Sequence, residues 1–212
     1  MRARSSDRAM RRRAGIFLAA MCALAAPARA GTFGVEVAGM VGGPVEPQFF
    51  SDAWGRGLGI GGGLVYDMGR VAALVQGDFA QFTFEGSEEL GTFGGERRFS
   101  SLTLALRLVL WKHDSLPEES LSLAASAGWG HEEIAGIAGV EPGSAAATHL
   151  GDGSEDGIVW TAAADFSRSL YRTTRWAAGL RYTRFEFEVE SPAHVMLVFA
   201  LRMPLAGSRP SS

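Results

Sequence analysis

In eight stretches of this chain, large apolar residues recur at every second position, and that period leaves few folds open. The clearest is SLTLALRLVLW, residues 101–111, where Leu102, Leu104, Leu106, Leu108 and Leu110 alternate with Ser101, Thr103, Ala105, Arg107 and Val109. Successive side chains of a strand point to opposite faces, whereas a helix would spread these leucines around its circumference. Similar runs are expected as strands at 32–41, 57–66, 70–84, 121–130, 158–166, 175–188 and 195–203. After the second, fourth and sixth runs the connections are short; after the first, third and fifth they are long, the longest being 131–157. The short connection near Ser191-Pro192 departs from this pattern. An even strand count with short turns at one end and long loops at the other is the signature of a transmembrane β-barrel.

The first thirty residues read differently. Arg2, Arg4, Arg8, Arg11, Arg12 and Arg13 form a basic segment, residues 16–26 an apolar one, and Ala28-Arg29-Ala30 a small-residue cleavage site before Gly31. This is the pattern of a secretory signal peptide over residues 1–30. Met21 before Cys22 does not suit a lipoprotein signal, and an arginine run is common in basic leaders. Taking seven arginines and one aspartate from the full chain's 20 basic and 23 acidic residues leaves 13 and 22, a formal charge of −9. No basic patch remains to suit nucleic acid. The one cysteine, Cys22, leaves with the leader, so no disulfide or thiolate chemistry is expected. No later stretch reaches the roughly 18 apolar residues of a membrane helix.

Composition indicates which face is which. One face of the runs carries Leu, Val, Phe, Trp and Ile; the other carries Gly, Ala, Ser and Thr with single charges at Glu36, Asp78, Arg107, Asp165, Arg181 and Arg202. A soluble lipocalin-like barrel would reverse this, with bulky residues inside and Lys and Glu outside. A charge on the lipid face costs roughly 2–4 kcal/mol at the membrane midplane, so the charge-free bulky face is expected to meet lipid. The six charges are then expected to form a paired network in the lumen, Arg107 meeting Asp78 on the adjacent strand. Tyr66, Trp111, Trp129, Trp176 and Tyr182 fall at or near strand ends, where amphipathic rings favour the membrane interface. Trp160 lies deeper in its run and is not assigned there.

Over residues 32–205 this combination resembles the small eight-stranded outer-membrane β-barrel family, the OmpA-type and OmpX-like proteins. The resemblance rests on leader, alternation and loop asymmetry. It implies an all-β, antiparallel, up-and-down transmembrane barrel (31–205) after a cleaved signal peptide (1–30), with a tail (206–212). It further implies outer-membrane location in a Gram-negative cell, periplasmic termini, long loops at the cell surface, and barrel-assembly machinery and membrane lipid as partners. The chain departs from the family where such barrels end in a strand with a terminal aromatic. Phe199-Ala200-Leu201 is similar, but residues 202–212 follow, and Met196 stands where glycine is usual.

The expected function is that of a non-enzymatic barrel, structural or surface-interacting through its loops, with no catalytic residue, metal or cofactor assigned. The alternative is a lipid A-modifying enzyme or narrow pore on the same scaffold. His194 near Ser191 and Glu190 is the sequence feature that invites the enzyme reading. Asp152, Ser154 and Asp156 have the spacing that opens a calcium loop, but Ala163 stands where the bidentate Glu belongs. HEEIA, residues 131–135, is not H-E-x-x-H.

Overall fold

The structure is a computed structural model that describes residues 31–47, 54–84, 92–113, 115, 118–140, 147–149, 152–171 and 174–205. The expected leader and tail lie outside the described residues. Nine strands form one antiparallel sheet: β1 Thr32–Glu46, β2 Trp54–Asp67, β3 Val71–Phe84, β4 Thr92–His113, β5 Glu119–Val140, β6 Ala147–His149, β7 Gly153–Tyr171, β8 Thr174–Glu186 and β9 Ala193–Pro204. The order β4-β3-β2-β1-β9-β8-β7-β5 closes through a β4–β5 pairing, and three-residue β6 hangs on the outer end of β5. The result is a closed eight-stranded antiparallel barrel. Closure removes the strand edges that an open sheet would leave unpaired.

The two ends differ as the connections do. Numbers 68–70, 114–118 and 172–173 join strands at the turn end, where both ends of the barrel segment also lie. There Gly34 pairs with Pro204 and Leu205 N donates to Phe33 O. The 68–70 turn is built by Asp67, whose carboxylate accepts from Gly69 N at 2.7 Å, with Gly69 in the left-handed region at φ 98°. At the opposite, loop end the strands run on much further than the alternation indicates. β4 begins at Thr92 and β5 ends at Val140, so much of what reads as loop at 85–97 and 131–157 is paired sheet. Beyond the apolar band the outward face turns polar, with Arg98 and Glu133 on it, and the period-2 signal weakens although the hydrogen bonding does not.

Sidedness follows the alternation. Leu58, Ile60, Leu64, Leu102, Leu180 and Phe199 are each more than half exposed, whereas Ala38, Ala105, Ala177 and Ala200 on the opposite face are buried. A continuous outward apolar surface of this extent has no counterpart on soluble monomers, whose apolar patches reach only a few hundred Å². A bulge between Val109 and Trp111 breaks the alternation of β4. Without it Trp111 would point inward; with it the ring stays on the outside, opposite Leu121.

Inside, small residues make room for large ones. β2 turns Gly57, Gly59, Gly61 and Gly63 to the lumen; a Cβ at Gly57 would stand 2.5 Å from the Phe82 ring, and one at Gly61 would overlap the Asp78 carboxylate. Gly130 does the same for Phe185, with 2.6 Å from its Cβ position to the ring. The loop-end half of the lumen is thereby filled by Phe82, Phe99, Phe185, Val159 and Met196.

Candidate functional site

The middle of the lumen holds the six charges singled out in the sequence, in two groups. Glu36 and Arg202 are cross-strand neighbours on β1 and β9. One Glu36 oxygen accepts from Arg202 Nε at 2.7 Å and from Arg107 Nη2 at 2.6 Å. Arg202 Nη1 also donates to Asp165 at 2.9 Å, and Arg107 Nε lies 3.8 Å from the other Asp165 oxygen. The second group is a pair: Arg181 Nη1 donates to Asp78 at 2.8 Å, and Gln76 holds the same carboxylate at 2.9 and 3.0 Å. Three cations meet three anions, as they must where an unpaired buried charge would be very costly.

Arg107 does not meet Asp78. The β3–β4 register sets Asp78 opposite Ser101 and Arg107 opposite Ala72. That is six residues along the strand, about 20 Å at the usual rise. Adjacency of strands is therefore not adjacency of charges. Asp78 instead reaches across the barrel to β8, and Arg107 reaches β1.

A cavity of about 30 Å³ lies among these groups, lined by Glu36, Gln76, Arg107, Asp165, Arg181 and Arg202. It has the volume of one or two waters, and Arg107, one of its lining residues, has an Nε that makes no hydrogen bond to protein. Above it the aromatic layer closes the lumen, with Phe82–Phe99 centroids 5.8 Å apart and Phe99–Phe185 centroids 4.8 Å apart.

His194 sits within that layer, fully enclosed, its ring 5.2 Å from Phe82, 5.7 Å from Phe99 and 5.8 Å from Phe185. It is not an exposed polar residue beside a turn. Nor does it meet its sequence neighbours, because Ser191 donates to Glu186 at 3.0 Å and Glu190 accepts from Arg97 at 3.3 Å. The His194, Ser191 and Glu190 grouping is thus not assembled.

Two inward clusters lie outside the sequence reading. At the loop end Arg97 bonds Glu132 and stands over the rings of Phe99 at 5.4 Å and Trp54 at 5.9 Å. Burial holds the Glu132 carboxyl above the usual carboxylate range, against the pull of Arg97. At the turn end Arg175 donates to Glu118, Ser120 and Ser167 at 3.2–3.3 Å, and the two serine hydroxyls lie 2.8 Å apart. Extending the inward set of β4 and β5 past Ser101 and Gly130, two residues at a time, would have reached Arg97 and Glu132.

On the outside, Tyr66, Trp111 and Trp176 lie toward the turn end, and Trp129 and Tyr182 toward the loop end. Trp160 belongs with the latter: its ring is 5.3 Å from Tyr182 and its indole nitrogen donates to Glu186 at 3.4 Å. Asp152, Ser154 and Asp156 do not wrap a common centre. Ser154 and Asp156 are on extended β7, Asp152 accepts from Gly136 N at 2.9 Å, and Asp156 pairs with His131. Among the described residues no group of three acidic, His or Cys side chains could hold a metal ion.

A closed barrel that is apolar outside and ion-paired inside defines the class: this is the eight-stranded outer-membrane β-barrel fold. Among solved structures, Neisserial surface protein A is similar, with a TM-score of 0.57 and 12% identity, covering 82% of this chain and 97% of that one. The attachment invasion locus protein Ail of Yersinia pestis has a TM-score of 0.48 and 15% identity over 81% of this chain and 99% of its own. The N-terminal β-barrel domain of Pseudomonas aeruginosa OprF has a TM-score of 0.42 and 12% identity over 82% and 99%. No family model matches the chain, and no curated protein sequence matches it.

Proposed function

We propose that this chain is an integral outer-membrane protein whose principal role is non-catalytic, structural or surface-interacting, exercised through the loop end of its barrel. The observation that carries this is the pairing of a continuous outward apolar band with a filled lumen whose charges are ion-paired. Such a surface is stable in lipid and not in water. In this reading residues 1–30 direct export, the turn end with both ends of the barrel segment lies in the periplasm, and the loop end projects from the cell. Membrane lipid and the barrel-assembly machinery are then the partners, and Tyr66, Trp111 and Trp176 line one interface while Trp129 and Tyr182 line the other. A narrow pore fits less well, since the arginine–carboxylate groups and the phenylalanine layer occupy the path in succession.

Cell fractionation with heat-modifiable gel mobility tests the proposal. The expected result is recovery in the detergent-extracted outer-membrane fraction, with a mobility shift on boiling. Recovery in the soluble periplasm without detergent would overturn it.

A further inference from the structure

The connection between β8 and β9, residues 187–192, reaches across the loop-end mouth of the barrel and is tied down from several sides. Phe187 N donates to Glu190 O at 3.2 Å and Phe185 N to Pro192 O at 2.9 Å, which makes it a tight turn. Pro192 is fully buried, and the Phe187 ring stacks on Phe185 with centroids 5.4 Å apart, continuing the phenylalanine layer. Val189 at the tip is 84% exposed. Two anchors on the barrel wall hold this strap. Glu155 of β7 accepts from Glu188 N and, at 3.2 Å, from Val189 N. Glu190 of the strap lies 3.3 Å from Arg97 of β4, and Arg97 is also bonded to Glu132 of β5.

The anchors are electrically at odds. Glu132 and Glu155 are directly opposite each other on β5 and β7, and like charges so placed destabilise a sheet. Closing the strap brings Glu190 to them, with Arg97 as the cation that Glu132 and Glu190 share. His131 and Glu133, on either side of Glu132 in β5, face outward. Of the three carboxylates Glu132 is the enclosed one, 3% exposed, whereas the Glu190 side chain is 40% exposed. A buried carboxylate faced by like charges is the one that holds a proton. Burial raises the Glu132 carboxyl above its usual range, Arg97 opposes this, and Glu190 and Glu155 add to it.

We propose that the 187–192 strap is an acid-tightened closure of the barrel mouth, in which protonation of Glu132 passes Arg97 to Glu190 and ties the strap down, and deprotonation loosens it. The device goes beyond the role proposed above and requires the folded barrel, not its orientation in a membrane. Its sign follows from proton binding. Closing the strap encloses Glu132 beside Glu190, so the closed form binds a proton at Glu132 more tightly than the open form. Closure is therefore favoured as pH falls, and the advantage is lost as pH rises through the closed-state pKa. With Glu132 neutral, a larger share of the Arg97 charge falls to Glu190. With Glu132 ionised, Glu190 meets the charges of Glu132 and Glu155, and opening separates them. Opening also exposes Phe187 and Pro192, so the top of the aromatic layer is covered or uncovered with the strap.

The test is hydrogen exchange of the full mature chain in detergent micelles, with folding of every variant checked by heat-modifiable mobility. Strap amides are compared at about pH 5 and about pH 8, a range in which exposed carboxylates stay ionised. Rates are corrected for intrinsic exchange, and amides of β2 serve as the internal reference. In the wild type the strap is expected to be better protected at the lower pH, by up to about tenfold for each unit by which the Glu132 carboxyl is raised. Glu132→Gln, neutral throughout, should hold the strap at the wild-type acid level at both pH values. Glu190→Gln should leave it exchanging at least as fast as the wild type does at the higher pH, at both values, with β2 unchanged. Equal wild-type protection at the two pH values, or greater protection at the higher one, overturns the proposal. So does a pH response undiminished in Glu132→Gln.

Discussion

Arg107 and Glu36 bond across the lumen at 2.6 Å from strands that are not neighbours, β4 and β1, with β2 and β3 between them. Because Glu36 also accepts from Arg202, a single carboxylate compensates two buried guanidinium groups. That makes it the most consequential charge in the barrel.

Glu36→Gln keeps the shape and removes the charge, leaving Arg107 and Arg202 with only Asp165 between them. Loss of one partner of a buried ion pair costs about 3–5 kcal/mol, and the substitution is expected to destabilise by that order. Asp78→Asn strands only one arginine and should cost less. Urea unfolding in detergent micelles, followed by the heat-modifiable band, measures both.

The phenylalanine layer depends on glycine opposite it. A Cβ at Gly130 would lie 2.6 and 2.7 Å from Phe185 ring carbons and 3.2 Å from Val159 Cβ. Gly130→Ala is therefore expected to destabilise by about 1–3 kcal/mol through overpacking. Phe185→Leu in the same chain should recover part of that loss, which separates a steric cause from a change in strand propensity.

Outward positions should respond to charge according to depth. Leu104, in register with Val75 and Ala127, is within the apolar band; Leu104→Arg is expected to cost roughly 2–4 kcal/mol in lipid. Gln81→Arg, beside Arg98 on the polar extension, should cost roughly 0–1 kcal/mol. Folding free energies in vesicles give the comparison, and equal costs at the two positions would mean that no lipid gradient acts between them.

Much of this barrel could be read from the chain. Five leucines at 102–110 with Arg107 among their alternate neighbours are enough to assign a strand, its two faces and the side that carries charge. The same period places Glu36, Asp78, Asp165, Arg181 and Arg202 inside, because only a sheet with one apolar face needs strict alternation. Where the need ends, so does the signal. The extensions of β4 and β5 beyond the band, with Arg97, Glu132 and His131 on them, look like loop because the outward face there need not avoid water and the inward face carries charge as well as aromatic rings.

The amino-acid sequence by itself determined the strands within the apolar band, their sidedness and the balance of charge they bring inward. Periodicity reports how each residue is solvated, and solvation is a local property. Only the tertiary structure decided which charges meet. Closure and register carry Glu36 to Arg107 and Asp78 to Arg181 across the lumen, and set His131 beside Asp156 on the outside. Those relations depend on how far each strand slides against the next, which is fixed by all eight pairings together.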